Sequence, residues 1–225
     1  MPNLAIVGYG KMGRMIDQLA PEYGFTVTAR IDVDRAGESL DGADAAIEFS
    51  IPAAVLGNVE RLASRGIPAV IGTTGWLEHL EQVRALVARH DVGLVWSPNY
   101  SIGVNVFFRL VSEAARLLAD EPDYAAWAWE IHHSAKKDAP SGTLLKLVET
   151  MRTAGYERTI DAGSNRAGAH PGTHEIGFDS AADTITLRHS ARNREGFARG
   201  ALKAAQWIVG RKGFYEFSEV LFGGR

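Results

Sequence analysis

The segment from Glu130 to Lys146, EIHHSAKKDAPSGTLLK, sets two adjacent histidines, two lysines, an Asp-Ala-Pro turn and a Ser-Gly-Thr helix start in a single run. A histidine gives or takes a proton near neutral pH, so His132 and His133, standing where a strand would end, are candidate acid-base groups facing a cleft. Lys136 adds a positive point charge or a further proton donor. Pro140 and Ser141 stop one element and Gly142 opens the next, which leaves the first N–H groups of a helix from Thr143 unsatisfied and directed outward. With the Ser141 and Thr143 hydroxyls and Lys136 beside it, such a helix start is a receptor for a carboxylate or a phosphate. The segment reads as a proton source next to an anion site.

Each of these residues also has an ordinary use. Ser141 can be no more than a helix N-cap, Lys137 looks like a solvated charge, and the two histidines could join His170 and His174 across space in a metal site, although no third ligand stands nearby at a familiar spacing. The combination of proton donor, cation and anion-receiving helix start is what structure alone does not account for, and no metal is expected.

A second group of residues lies near the start. AIVGYGKMGRMI places Gly8, Gly10 and Gly13 in G-x-G-x-x-G spacing after an apolar run and at the opening of a helical one. The first glycine permits the tight turn, the second lets a pyrophosphate approach the backbone, and the third lets helix and strand pack closely. An acidic residue is then expected at the end of the second strand to accept from ribose hydroxyls, and Asp32 stands there, with a solvated turn residue as its bland alternative. Two further strand ends, EFS at 48–50 and GTTG at 72–75, would lie on the same sheet edge, where small residues let a flat nicotinamide approach, though each alone is equally at home in an ordinary loop.

These residues need elements to hold them. NLAIVG, FTVTARID, ADAAIEFS, IPAVIGTTG and VGLVWSPN are short apolar runs alternating with helix-period segments near Met12–Ala20, Ala53–Arg65 and Leu77–Arg89, which predicts βαβ units and a parallel sheet. After Ser101 the rhythm changes. A helix from about Val104 to Leu118 precedes the strand-like YAAWAWEIHH, a second helix follows Ser-Gly-Thr, and THEIGFDSAADTITLRHSA reads as an antiparallel hairpin around DSAAD. GFARGALKAAQWIVGRKGFYEFSEVL resumes helical periodicity and ends in an aromatic cluster. The fold class is therefore α/β: a Rossmann-type dinucleotide-binding domain (1–103 and 195–225) with a second α+β domain (104–194) for substrate binding and oligomerisation.

Composition narrows the partners. In 225 residues the formal net charge is −3 with the signs mixed, which offers no basic stripe for nucleic acid, and no 18-residue apolar stretch suggests a membrane span. No cysteine occurs, so disulfides, thiolate nucleophiles and sulfur-ligated metals drop out. Without the positive leader and apolar core of a signal peptide, a cytoplasmic protein handling small molecules is expected.

The run EIHHSAKKDAPSGT closely resembles the signature of the 4-hydroxy-tetrahydrodipicolinate reductases, also called dihydrodipicolinate reductases, of lysine and diaminopimelate biosynthesis. The resemblance continues through IGTTGW, SPNYSIGVNV, RAGAHPGTHEI and GALKAAQWI, and so covers most of the chain. It implies a two-domain reductase using NADH or NADPH, assembled as a homotetramer, whose substrate is a small dicarboxylate. By the same resemblance His132 matches the general acid and Lys136 a proton donor or electrostatic partner, while His133, Lys136, Ser141, Gly142 and Thr143 match positions that bind the dicarboxylate. The cofactor-facing set comprises Gly8, Gly10, Lys11, Met12, Gly13, Asp32, Phe49, Ser50, Gly72, Thr73, Thr74, Pro98, Asn99 and Tyr100. Two departures stand out: the glycine loop GYGKMG is one residue shorter than is usual, and the stretch between Asp32 and Glu48 is shorter than in long members.

Asp32 should repel a 2′-phosphate, and Val33 stands where phosphate-using members tend to carry arginine, so a modest NADH preference is expected. Lys11, Arg14, Arg30 and Arg35 oppose it, because they could converge on a phosphate. Two other functions compete with the reductase reading: a dehydrogenase of an amino-acid-like substrate on the same plan, and a nucleotide sensor without turnover. The intact histidine and lysine segment argues against the sensor, since binding a nucleotide needs neither.

Overall fold

The five apolar runs of the first hundred residues form strands β1 (Asn3–Val7), β2 (Thr26–Ile31), β3 (Ala45–Glu48), β4 (Ala69–Ile71) and β5 (Gly93–Trp96). A sixth strand, β10 (Gly213–Glu216), comes from the end of the chain, and the parallel sheet runs β10-β5-β4-β3-β1-β2. The computed structural model describes residues 1–32 and 38–223. It divides into two compact units, Met1–Ile102 with Glu195–Arg225, and Gly103–Arg194.

Both faces of the first sheet are covered, which is why its strands are apolar throughout instead of alternating. Leu4, Ile6, Ile47, Val70 and Val95 pack with helices α1 (Lys11–Leu19) and α6 (Glu195–Ile208). The intervening positions Ala5, Val7, Ala46, Ala69, Ile71 and Leu94 pack with α2 (Val55–Ala63) and α3 (Leu80–His90) on the other side. The last segment, read from its periodicity as helical, carries β10 between α6 and the short α7 (Phe217–Phe222). Four residues are too few to show a period of two, and Phe214 and Tyr215 divide between the two faces as strand neighbours must.

Helix α6 approaches the sheet through small residues, among them Ala198, Ala201, Ala204 and Ala205, all buried. At Gly200 it meets the segment after β5: a Cβ there would lie 1.7 Å from the Tyr100 carbonyl oxygen. Gly200→Ala must therefore push α6 outward, and overpacking of this kind costs about 1–3 kcal/mol. In a chain of this size that should lower the melting temperature by roughly 2–12 °C. An unchanged melting curve would show that α6 has slack here.

The second unit holds α4 (Ile102–Leu117, entering from the first), β6 (Ala125–His132), α5 (Gly142–Thr153), β7 (Ile160–Arg166), β8 (Thr173–Asp179) and β9 (Thr184–Ser190). The sheet order is β7-β6-β8-β9; β8 and β9 form the expected antiparallel hairpin, and β7 lies parallel to β6. Sequence reading missed β7 because IDAGSNR is half-buried or exposed throughout and has no apolar alternation. Phe107, Val111 and Ala115 of α4 and Leu144, Leu147 and Met151 of α5 cover one sheet face over Ala126, Ala128, Ile176 and Phe178. Alternation along β6 turns Glu130 and His132 to that buried side, and Trp127 and Trp129 to the opposite, half-exposed one. Among the described residues no helix is long and apolar enough to cross a membrane.

Candidate active site

In the first unit the chain leaves β1 through Gly8, whose φ of +91° suits glycine, and whose added Cβ would lie 2.0 Å from the Phe49 carbonyl oxygen. Gly13 sits against the same turn, where a Cβ would come within 2.2 Å of the Gly8 carbonyl oxygen. These two glycines serve backbone packing. Gly10 differs: it is the N-cap of α1, without a side-chain cap, and a Cβ there would meet nothing within 4 Å among the described residues. The open helix start is the cradle a pyrophosphate needs.

A cleft of about 490 Å³ opens there, lined by Gly10, Lys11, Met12, Phe49, Ser50, Pro52, Gly72, Thr73 and Thr74. Its far wall is built by the ends of β3 and β4. The Phe49 ring lies over Gly72, where a Cβ would be 2.1 Å from it, and the Ser50 N–H donates to Thr73 Oγ1 at 2.7 Å. Beneath them Glu48 is fully buried and accepts from Ser50 Oγ and, at 3.2 Å, from Asn58 Nδ2. Burial pushes its pKa up against those hydrogen bonds.

Several expected cofactor residues do not line this cleft. Tyr100 is a core residue, not a cleft residue: it is buried, and its hydroxyl donates to the carbonyls of Ile71 and Val95, both at 3.0 Å. Asn99 caps the following turn by accepting from the Ser101 N–H at 2.9 Å, and Pro98 is exposed beside it. Asp32 is half-buried just past β2, whereas Val33 and Arg35 lie outside the described residues. Arg30 is committed to Asp17, with Nε and Nη2 at 2.7 and 2.8 Å from its two oxygens.

In the second unit the organising group is Glu130. Its side chain is fully buried, and it accepts from the Ser141 N–H at 2.7 Å, from Ser141 Oγ, from Ser164 Oγ at 2.8 Å and from Arg166 Nη2 at 3.0 Å. Burial alone raises a carboxyl pKa, but these donors more than reverse it and hold Glu130 at about 2. His132 Nδ1 lies 3.5 Å from the same carboxylate and has no hydrogen-bond partner among the described residues; His174 Nε2 lies 3.2 Å from the carboxylate. The two imidazole rings meet edge-on at 5.1 Å. Burial lowers the pKa of both, with Glu130 opposing, and His174 falls to about 4.

Lys136 follows a tight turn in which its N–H donates to the His133 carbonyl, and its Nζ reaches Asp138 at 2.8 Å. His133 lies just beyond β6 and is half-buried, so it does not share the enclosure of His132. Ser141, expected at the substrate, is committed within the protein: it caps α5, accepting from the Leu144 N–H at 3.2 Å, and gives its own N–H and hydroxyl to Glu130. Gly142 and Thr143 remain as the open part of the helix start, Gly142 with nothing within 4 Å of an added Cβ. Ser164, Arg166 and His174 were not proposed from sequence as working residues, although Arg166 and His174 lie in RAGAHPGTHEI. Glu130, His132 and His174 place ligand atoms within 4.8 Å of one another, but the Arg166 guanidinium already neutralises the carboxylate and would repel a metal ion.

A parallel sheet with an uncapped glycine turn, joined to an α+β unit carrying a buried histidine, a lysine and an open helix start, defines a two-unit oxidoreductase with a dinucleotide-binding domain. Residues 2–100 match the family model for the N-terminus of dihydrodipicolinate reductase, and residues 103–221 match that for its C-terminus. The chain belongs to the dihydrodipicolinate reductase family. It is 33% identical over 232 residues to 4-hydroxy-tetrahydrodipicolinate reductase of Christiangramia forsetii, covering 97% of each chain. It is 32% identical over 252 residues to that of Archaeoglobus fulgidus, covering 94% of this chain and 96% of the other. Dipicolinate-bound dihydrodipicolinate reductase from Paenisporosarcina shares the fold, with a TM-score of 0.80 at 22% identity over 97% and 99% of the two chains.

Proposed function

We infer that the chain catalyses the NAD(P)H-dependent reduction of 4-hydroxy-tetrahydrodipicolinate to tetrahydrodipicolinate, in lysine and diaminopimelate biosynthesis. The observation that carries this reading is the convergence, in a chain matched along nearly its whole length by the family, of a buried proton donor with a lysine and an open helix start. Once the 4-hydroxyl has left as water, the ring is a conjugated imine, and NAD(P)H, when bound, would supply the hydride that adds at ring carbon 4. The first unit fits that cofactor: Gly10 and the α1 start face an open cleft, Lys11 lines it, and Phe49 with Gly72–Thr74 walls it.

Lys136, with the Gly142 and Thr143 N–H groups, holds the substrate's carboxylates. Hydride addition to a conjugated imine builds negative charge on the ring, and His132 donates the proton that neutralises it, then recovers one from solvent. Arg166 pairs with Glu130 at 3.0 Å, and the same carboxylate faces the His132 ring at 3.5 Å. The assay condenses pyruvate with aspartate semialdehyde and follows NADH or NADPH oxidation. Oxidation that depends on both carbon substrates is expected. Its absence, with oxidation on another amino-acid-like substrate, would move the reading to the rival dehydrogenase.

NADH is proposed as the better cofactor. Asp32 would accept from the ribose hydroxyls and repel a 2′-phosphate, and the commitment of Arg30 to Asp17 removes one cation from the group that could hold that phosphate. Asp32→Ala should narrow the gap between the cofactors. A tenfold or larger kcat/KM advantage for NADPH in the wild type, roughly 1.4 kcal/mol, would overturn the assignment. A homotetramer and a cytoplasmic location complete the reading. The half-exposed Trp127 and Trp129 on the uncovered side of the second sheet support assembly, which light scattering would test, and the cysteine-free chain is compatible with a reducing compartment.

A further inference from the structure

A carboxylate with no solvent exposure needs a reason, because replacing a buried ion pair by packed apolar side chains is often neutral or stabilising. Glu130 gathers donors from two elements besides its own: Ser141 at the start of α5, and Ser164 and Arg166 from β7. Its Oε2 receives the Ser141 hydroxyl and also lies beside His132 Nδ1 and His174 Nε2. One carboxylate thus touches the cap of the helix that receives the substrate's carboxylate and the ring that delivers the proton. The opposite edge of that ring is confined as well, since a Cβ at Gly172 would lie 3.0 Å from Cδ2 and Nε2 of His132.

We propose that Glu130 is a positioning residue of the reduction, a single buried anion that fixes the α5 start for the substrate and holds the His132 ring in its proton-donating orientation and charge state. The inference rests on the functional reading above. Its two halves separate experimentally. The link to α5 runs through Ser141 and should govern how tightly substrate is held; the link to His132 is electrostatic and should govern the pH range over which that ring carries its proton.

The groups facing His132 are Glu130 on its own strand, His174 on β8, Arg166 on β7, and Lys136 and Asp138 in the following loop. Burial, Lys136 and Arg166 lower its pKa, whereas Glu130 and Asp138 raise it. A general acid loses activity as pH rises through its pKa, so removing the Glu130 charge must move the alkaline limb of kcat to lower pH. The removal of one opposite charge at this range shifts a pKa by about 1–3 units.

The test measures kcat, substrate KM and NADH KM against pH for wild type, Glu130→Gln and Ser141→Ala. Glu130→Gln should shift the alkaline limb down by about one pH unit or more and raise substrate KM, with NADH KM unchanged. Ser141→Ala keeps the charge, so it should raise substrate KM with the limb in place. A uniform loss of kcat in Glu130→Gln, with limb and KM unmoved, would make Glu130 a structural residue and overturn the proposal. If that variant does not fold, a wild-type substrate KM in Ser141→Ala overturns it instead. An inactive wild type would sink the functional reading itself, a result distinct from either.

Discussion

Replacing His132 by glutamine should lower turnover by on the order of 10² to 10⁴-fold, the usual loss when a general acid is removed, while NADH affinity stays as it was. Glutamine keeps a polar side chain of comparable reach in the space against Gly172 and beside Glu130, so packing around the site is disturbed little. What it cannot do is deliver a proton. His132 belongs to the second unit, whereas the residues that wall the cofactor cleft belong to the first. Pre-steady-state kinetics would separate the two quantities directly. Wild-type turnover would assign the proton to another group, with Lys136 the next candidate.

Lys136→Ala should damage both substrate KM and kcat. A hydrogen bond to a charged group contributes about 1.5–3 kcal/mol, which corresponds to roughly 10- to 150-fold in kcat/KM. The lysine now rests on Asp138 at 2.8 Å, near the surface, so a ligand carboxylate exchanges one ion pair for another and the smaller end of that range applies to binding. The same geometry predicts that pyridine-2,6-dicarboxylate competes with substrate in the wild type and binds more weakly to the variant. Failure of that planar dicarboxylate to inhibit at millimolar concentration would place the carboxylate receptor elsewhere.

The parts of the site that could be read in the sequence are those whose chemistry is local. Gly8 and Gly13 announce themselves because a positive φ and a close helix-strand approach demand glycine, and Gly10 completes the fixed spacing at the helix start. His132 and Lys136 lie in one short run, but the sequence placed both neighbouring histidines at a cleft, whereas β6 runs through His132 and encloses it while His133 lies half-buried beyond the strand. The buried network around Glu130 was not legible in the same way. Its donors Ser164 and Arg166 sit 34 and 36 residues away, on a strand with no apolar pattern to reveal it.

Two residues show roles that local pattern does not express. Tyr100, placed in the cofactor-facing set by the family resemblance, closes the core by bridging β4 and β5 with one hydroxyl. Ser141 offered both an N-cap and a ligand contact; in the structure it caps α5 and donates its hydroxyl to the buried Glu130. In each case a partner distant in sequence decides the role, which local pattern cannot express.

The first unit is interrupted in sequence: residues 103–194 are made between its first part and the helix and strand that complete it. Until Gly213–Glu216 emerges during synthesis, the outer edge of β5 has no hydrogen-bonding neighbour. Leu4, Ile6, Ile47, Val70 and Val95 likewise lack the cover of α6 until residues 195–208 have been made. Unpaired edges and bare apolar faces are what drive strand-to-strand association between chains. The nascent chain is thus most prone to aggregation after five strands of its nucleotide sheet exist and before the sixth arrives, and a ribosome stalled within the interval 103–194 would hold it in that state.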